Sequence, residues 1–469
     1  MVITYMGGIT RRYKVMNILY IHTHDSGRFL KPYGYNVPTD YLLEFAKDAV
    51  VFRKAFCGAP TCSPSRSVLL TGMYAHNNGM LGLAHRGFKI NDYSKHLASY
   101  LKNYDYETVL SGVQHEADSW LNYDKAAKVI GYSCDITTVP EKDNEEELVY
   151  WDRNNAAETA EYIKKAAKTD KKFFMSFGMF STHRKYPVIP ENNTDPDYVE
   201  LPPRTYDNEN NRADTARYMD SARMADDCIK TVIEALKDAG LYEKTIIIFT
   251  TDHGVANPFD KCFLNDSGIG VALIIRDPNQ KKQGRAIDAM VSHIDIFPTL
   301  CELTGVEKPE WLQGKSLVPL LYENKKVREE IYAEINYHTS YEPARCVRNE
   351  RYKYIKYFDK TYDKYNYSNM DDSEVKGFLM KNGLLDMKKE MEILYDLYFD
   401  PGESNNVAGK AEYSEILEEM RIKLQKWQKQ TDDPVLEGRI KAPEGAKINN
   451  KECMSAGSKN KNDYEKFPD

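Results

Sequence analysis

No apolar run in this 469-residue chain approaches the ~20 residues that a bilayer-spanning helix needs, and the mean hydropathy is −0.62. No membrane partner is therefore expected. Positive charge is not in excess either. Against 71 Asp and Glu stand 64 Lys and Arg, giving a net charge of −7 and a pI near 5.9. Such a chain has no general field with which to hold nucleic acid or an anionic lipid surface, so an anionic substrate would need a locally basic pocket. The eight cysteines, at positions 57, 62, 134, 228, 262, 301, 346 and 453, include no CxxC pair. Neither a disulfide framework nor a zinc ribbon is expected from them, and apart from Cys62 they read as small buried hydrophobes. Internal repeats and long low-complexity tracts are missing too. The N-terminus does not follow the pattern of a secretion signal, because residues 1–9 are only weakly apolar and Arg11 and Arg12 follow them instead of preceding them. The expectation is a cytoplasmic protein whose first fifteen residues form a loose extension.

Hydrophobic residues make up 42% of the chain and charged residues 29%, enough to bury one large core and a smaller one. Apolar runs alternate with amphipathic stretches, the signature of a mainly parallel α/β sheet. Four runs matter most. Residues 17–21 lead into His22, Thr23, His24 and Asp25; residues 108–110 lead into Gly112, Val113, Gln114 and His115. Residues 173–177 lead into Ser181, Thr182 and His183, and residues 245–249 lead into Asp252, His253 and Gly254. In open α/β sheets ligands bind beyond the carboxyl ends of the strands, so four segments would deliver His and Asp side chains to one edge. Ala222, Ala225, Ile229, Val232 and Leu236 recur at helical spacing and Gly240 stops them, which predicts a helix packed on the sheet before the fourth run. Beyond about Glu330 the texture changes: residues 352–357 alternate apolar and polar, as a half-exposed antiparallel strand does. The predicted architecture is a large, mainly parallel sheet flanked by helices over residues 1–330. A smaller antiparallel α+β subdomain follows over residues 331–469, with a polar, loosely ordered tail beyond Lys441.

The segment from Cys62 to Gly72 carries the most chemistry. Ser63 is a good N-cap, Pro64 suits a first helical position and Gly72 is a natural stop. Cys62 then lies at the positive end of a helix with Arg66 one turn further in. A helix N-terminus with an arginine binds anions and lowers a thiol pKa, which predicts a reactive cysteine beside an oxyanion pocket.

Cys62-Ser63-Pro64-Ser65-Arg66 followed by Leu70-Thr71-Gly72 resembles the signature of the formylglycine-dependent sulfatases, within the alkaline phosphatase superfamily. Thr251 to Gly254 is similar to that family's second metal-binding segment, and Lys261 to its sulfate-binding lysine. His183 and the segments 293–299 and 394–397 resemble further landmarks. Residues 78–80 with Gly82 and Leu83 look most like the heparan N-sulfatase (sulfamidase) branch. The resemblance implies hydrolysis of a sulfate ester or sulfamate on a small sulfated saccharide such as N-sulfoglucosamine. It also implies oxidation of Cys62 to formylglycine by a maturation enzyme. A divalent metal would be held by His24, Asp25, Cys62, Asp252 and His253, and catalysis would be carried by Cys62, Arg66, His115, His183 and Lys261. Calcium is the family default, but it prefers oxygen ligands, and His24 and His253 would favour manganese or zinc. Two departures stand out. His24-Asp25 replaces the family's Asp-Asp pair, and Val113 stands where the usual lysine precedes the histidine. A phosphonate monoester or phosphodiester hydrolase of the same fold, or an inactive binding relative, therefore stays open. His22 reads as a strand histidine facing a helix, His293 as an organiser near Asp295, and the Arg184–Lys185 pair as a solvated loop. His338 and Arg345 are expected at the surface, and His76 and His85 beside the loop after the signature.

Overall fold

The computed structural model describes residues 2–4, 10–12, 16–118, 123–140, 145–191 and 193–465. Most of the expected N-terminal extension lies outside the described residues. In chain order the elements that position the site are β1 (Asn17–Thr23), β2 (Val50–Phe52), α1 (Cys62–Thr71), β3 (Tyr106–Gly112), β4 (Cys134–Asp135), α2 (Glu145–Ala166), β5 (Lys172–Gly178), α3 (Glu209–Asp238), β6 (Thr245–Thr251), β7 (Leu273–Arg276) and β8 (Arg285–Ile287). The eight strands form one sheet in the order β8-β2-β7-β6-β1-β5-β3-β4. β7 alone runs against its neighbours; the other pairings are parallel. β1 is central, pairing Ile18 with Phe174 of β5 on one side and with Ile246 of β6 on the other.

Alternate residues of a strand face opposite sides, and here both sides are apolar, as a sheet covered on both faces requires. Ile18, Tyr20, Phe174, Ile246 and Ile248 face one core, which also takes Leu69 and Leu70 of α1. Leu19, Ile21, Phe173, Met175, Ile247 and Phe249 face the other, against Ala156, Ala160 and Ile163 of α2 and Ala222, Ala225, Ile229, Val232 and Leu236 of α3. The predicted helix is therefore present, and Gly240 lies just past its end at φ 67°.

Strands β9 (Ile331–Tyr337), β10 (Tyr341–Arg348), β11 (Tyr352–Tyr357) and β12 (Glu392–Asp396) form a separate antiparallel meander. The apolar face of α4 (Ser414–Gln430), with Leu417, Met420, Leu424 and Trp427, packs on Val347, Tyr354 and Leu394 of this sheet and on Val68 of α1. Each such fully buried aliphatic contributes about 1.5–3 kcal/mol of transfer free energy, so the smaller sheet clamps the signature helix against the larger one. The tail departs from its expected looseness. Ile448, Asn449 and Cys453 are buried, and Asn449 bridges to Ser340 and Tyr464. Its polar side chains are spent on local turns and bridges, which a hydropathy reading scores as solvation. Among the described residues no helix is long and apolar enough to cross a membrane.

Candidate active site

The signature helix begins two residues earlier than its sequence suggests. Thr61 is the N-cap and Cys62 the first helical residue, while Ser63 lies inside the helix and accepts from the Ala84 amide at 3.0 Å. Ser63 thus tethers the following loop and does not cap the helix. Gly72 ends it in the left-handed region at φ 66°. The helix N-terminus points at the carboxyl edge of β1 and β6. Cys62 Sγ lies 3.4 Å from His253 Nε2, which is itself 3.4 Å from Asp25 Oδ1 and 3.6 Å from Asp252 Oδ2. Ligand atoms of His24, Asp25, Cys62 and Asp252 all fall within 4.8 Å of one another, and all four residues are buried. His24, Cys62 and His183 form a second such group. The rings of His115 and His183 stand 4.7 and 5.2 Å from that of His24. Arg66 Nη2 reaches the cluster 3.1 Å from Asp252 Oδ2, and Lys261 Nζ joins it 3.2 Å from Asp25 Oδ2, so all the site residues expected from the sequence meet here.

Backbone geometry holds the acids in place. Asp25 sits at φ 41° and its amide donates to Asp252 Oδ1 at 3.0 Å, tying the ends of β1 and β6 together. The His253 amide donates to the same oxygen at 2.9 Å. Gly254 is obligatory, because a Cβ there would lie 1.8 Å from the Ser267 carbonyl oxygen. From α1, Ser65 Oγ donates to the Asp252 carbonyl at 2.5 Å, and His293 bonds Thr250 Oγ1 at 2.9 Å. His293 therefore braces the signature helix and β6.

Arg66 is almost fully buried and donates from Nη2 to Asp252 Oδ2 at 3.1 Å. Its Nη1 meets His22 Nδ1, and His22 in turn lies 3.3 Å from Ser176 Oγ through Nε2. His22 does face the signature helix as its sequence position suggests, but its role is to orient the arginine. Burial and Arg66 keep His22 well below the usual imidazole range and His24 at about 3, so both rings are neutral. Burial, His24 and Arg66 do the same to His115. Burial resists the charge of Asp252, but His253, Arg66 and His24 together hold it ionised. For Lys261, burial opposes the charge and the Asp25 and Asp371 carboxylates outweigh it. The thiol of Cys62 departs from the sequence expectation. Burial pushes it well above its ordinary value, with the Asp252 and Asp25 carboxylates reinforcing burial against Lys261 and Arg66. The helix N-terminus is real, but two ionised acids sit closer to the sulfur than a sequence reading can weigh.

Asp371 was not legible as a site residue. It binds Lys261 Nζ at 2.8 Å and lies 3.9 Å from His338 Nε2, so His338 belongs to the mouth of the site and not to the surface. Arg345 is buried too, paired with Asp433 at 2.8 Å and 3.6 Å from Glu334; it organises the smaller sheet. His76 binds Glu334 at 2.9 Å and serves the same network. Arg184 is not solvated but held in a bidentate pair with Asp214 at 2.8 Å, leaving Lys185 exposed as expected. Val113 packs with Leu148, Trp151 and Phe180, and Gln114 closes its own turn by accepting from the Glu116 and Ala117 amides. Neither side chain faces the acids.

Comparison with known proteins follows the same chain of landmarks. Residues 16–306 match the family described as Sulfatase, and residues 252–393 match the one described as N-sulphoglucosamine sulphohydrolase, C-terminal. An ulvan-active sulfatase of Formosa agariphila is 28% identical over 420 residues, covering 85% of this chain and 76% of the relative. The N-sulphoglucosamine sulphohydrolase of Homo sapiens is 25% identical over 450 residues, covering 85% and 86%. The phosphonate monoester hydrolase of Agrobacterium radiobacter shares the fold with a TM-score of 0.67 at 21% identity, covering 89% of this chain and 96% of that one.

Proposed function

This chain belongs to the sulfatase family, and on that premise we propose that it hydrolyses a sulfate ester or sulfamate on a small sulfated saccharide, with N-sulfoglucosamine as the leading candidate. The similarity to N-sulphoglucosamine sulphohydrolase, both along the chain and in the C-terminal match, supports that choice of sugar. One observation carries the reading. A cysteine at a helix N-terminus, a buried donor set of two carboxylates and imidazoles, and two cations converge on one point at the carboxyl edge of the sheet.

The donor set fits a divalent cation. Asp25 Oδ1 is buried and has no hydrogen-bond partner among the described residues, and a carboxylate oxygen left so would be costly without a cation. Asp25, Asp252, His24 and His253 would hold it, and the mixed oxygen and nitrogen ligands suit manganese or zinc at least as well as calcium. Such a cation would supply Lewis acidity when bound. Oxidised to formylglycine by a maturation enzyme and hydrated by water to a geminal diol, Cys62 would supply the hydroxyl that attacks sulfur in line. Arg66, aligned by His22, and Lys261 bind the sulfuryl oxygens and spread the charge that develops on them. His183, whose Nδ1 donates to the Arg184 carbonyl, has its other nitrogen available to protonate the leaving oxygen or nitrogen. His115, held neutral, would accept the proton of the remaining hydroxyl, so that the aldehyde C=O re-forms as the C–O bond to sulfate breaks.

Mass spectrometry of the Cys62 peptide from protein matured in its native host tests this directly. The aldehyde mass is expected, and active protein with an unmodified thiol would refute the mechanism. Turnover of N-sulfoglucosamine and an aryl sulfate should exceed that of a phosphodiester; the reverse order would make the chain a phosphonate or phosphodiester hydrolase. Elemental analysis should find about one divalent ion per chain, and metal-free protein without turnover would mark a binding relative.

A further inference from the structure

A cavity of about 290 Å³ is lined by residues next in sequence to Asp25 and Lys261 but by neither of them. Its wall includes Ser26 and Gly27, directly after Asp25, and Asp260, directly before Lys261. Three arginines line it: Arg28, Arg53 and Arg204. Arg28 and Arg204 form no ion pair among the described residues; they donate to the carbonyls of Arg53 and of Gly402 and Glu403 instead. Arg53 has only a loose partner in Asp288 at 3.6 Å. The acids on the wall are unequal. Asp266 is neutralised by Arg348 and Lys353, and Glu403 by Lys353. Among the described residues Asp260 forms no ion pair, with Arg204 of the same wall acting on it only at longer range. It is 2% exposed and its Oδ1 has no hydrogen-bond partner among the described residues. The rings of Tyr33 and Tyr35 complete the lining, with the Tyr33 hydroxyl already spent on the backbone at Leu273.

Each part asks for a particular group. Uncompensated guanidinium groups recognise a carboxylate or sulfate. A buried carboxyl oxygen with no donor wants hydroxyl hydrogens. The two tyrosine rings offer flat apolar surface. We propose that this cavity is a binding site for an anionic saccharide, separate from the hydrolytic centre, with the arginines holding the acid group, Asp260 the ring hydroxyls, and Tyr33 and Tyr35 the ring face. Through Gly27 and Asp260 the bound sugar would bear on the backbone that carries Asp25 and Lys261.

Calorimetric titration of the full-length protein with D-glucuronate, D-glucose and inorganic sulfate tests this. The expected result is one glucuronate per chain, bound at least about tenfold more tightly than glucose or sulfate, with turnover of p-nitrophenyl sulfate not competitively inhibited. Asp260→Asn, and independently the surface pair Arg53→Gln with Arg204→Gln, should each weaken glucuronate at least about tenfold, with p-nitrophenyl sulfate turnover and the melting temperature kept by the surface pair. The exposed pair keeps the test decisive if the buried variant fails to fold. Absence of glucuronate binding, equal binding of sulfate, competition with turnover, or indifference to the surface pair would each overturn the proposal. The titration reads binding whether or not the chain proves to be a sulfatase, so the two readings fail separately.

Discussion

Replacing His22 with leucine removes the acceptor for Arg66 Nη1 while keeping an apolar side chain of similar volume under Gly178, where a Cβ would already lie 2.4 Å from the imidazole. Arg66 is nearly fully buried, so the orphaned guanidinium N–H cannot turn to water and the loss costs about 1–3 kcal/mol. Arg66 Nη2 still has Asp252, so the guanidinium pivots about that bond and is not lost. If the misalignment is felt when the sulfuryl oxygens gain charge, the same 1–3 kcal/mol becomes a fall of about fivefold to 150-fold in kcat/KM. His22→Asn is the control, because its amide oxygen can take the place of Nδ1. The assay is steady-state turnover of an aryl sulfate beside thermal melting of each variant. His22→Leu should lose most of its activity with a well-defined fold, and His22→Asn should recover most of it. Wild-type kcat/KM in His22→Leu would show that Arg66 needs no such partner. Equal losses in the two variants would show that the histidine matters for packing and not as an acceptor.

Asp371→Asn should lower KM for p-nitrophenyl sulfate by about fivefold, because it removes a competing carboxylate from Lys261, a partly buried pair worth about 1 kcal/mol; an unchanged or raised KM would mean that Asp371 aids anion binding. Val113→Lys, which restores the family's usual residue, should lower the melting temperature without raising activity, since it buries an ammonium among Leu148, Trp151 and Phe180 at a cost of several kcal/mol; a gain in turnover would refute the packing argument. Burial opposes the charge of Glu334, but His76 and Arg345 hold its carboxyl at about 2. With the folded pKa depressed, its contribution is full above the unfolded value of 4.5 and is lost as pH falls through about 2, a difference of about 3 kcal/mol. Urea titrations should therefore show Glu334→Gln less stable than wild type near neutral pH and the gap closing toward pH ~2; a gap independent of pH would place the effect elsewhere.

The strands and the site were legible for the same reason. β1, β3, β5 and β6 are buried on both faces, so they read as unbroken apolar runs, and the first polar residues after them mark the carboxyl edge where ligands bind. Local patterning could not show what depends on residues distant in sequence. Asp371 lies 110 positions beyond Lys261, in a segment with no periodicity of its own, and only the folded chain brings the two together. The paired states of Arg184 and Arg345 have the same origin, because a lone arginine in a sequence reads as solvated until its carboxylate is found. The Cys62 thiol shows the limit most plainly. Its helix position argues for a lowered pKa, and the sign is reversed by burial and by acids delivered from β1 and β6. Val113 makes the complementary point. Read as a missing cation it weakens the site, but the histidine two residues later still reaches His24 while the valine fills an apolar cluster on the other side of the turn. The positive charge that faces the acids then comes from Arg66 and Lys261, each held by its own buried carboxylate. Anion binding at this edge is therefore favoured by His22, which aligns Arg66, and opposed by Asp371, which competes for Lys261.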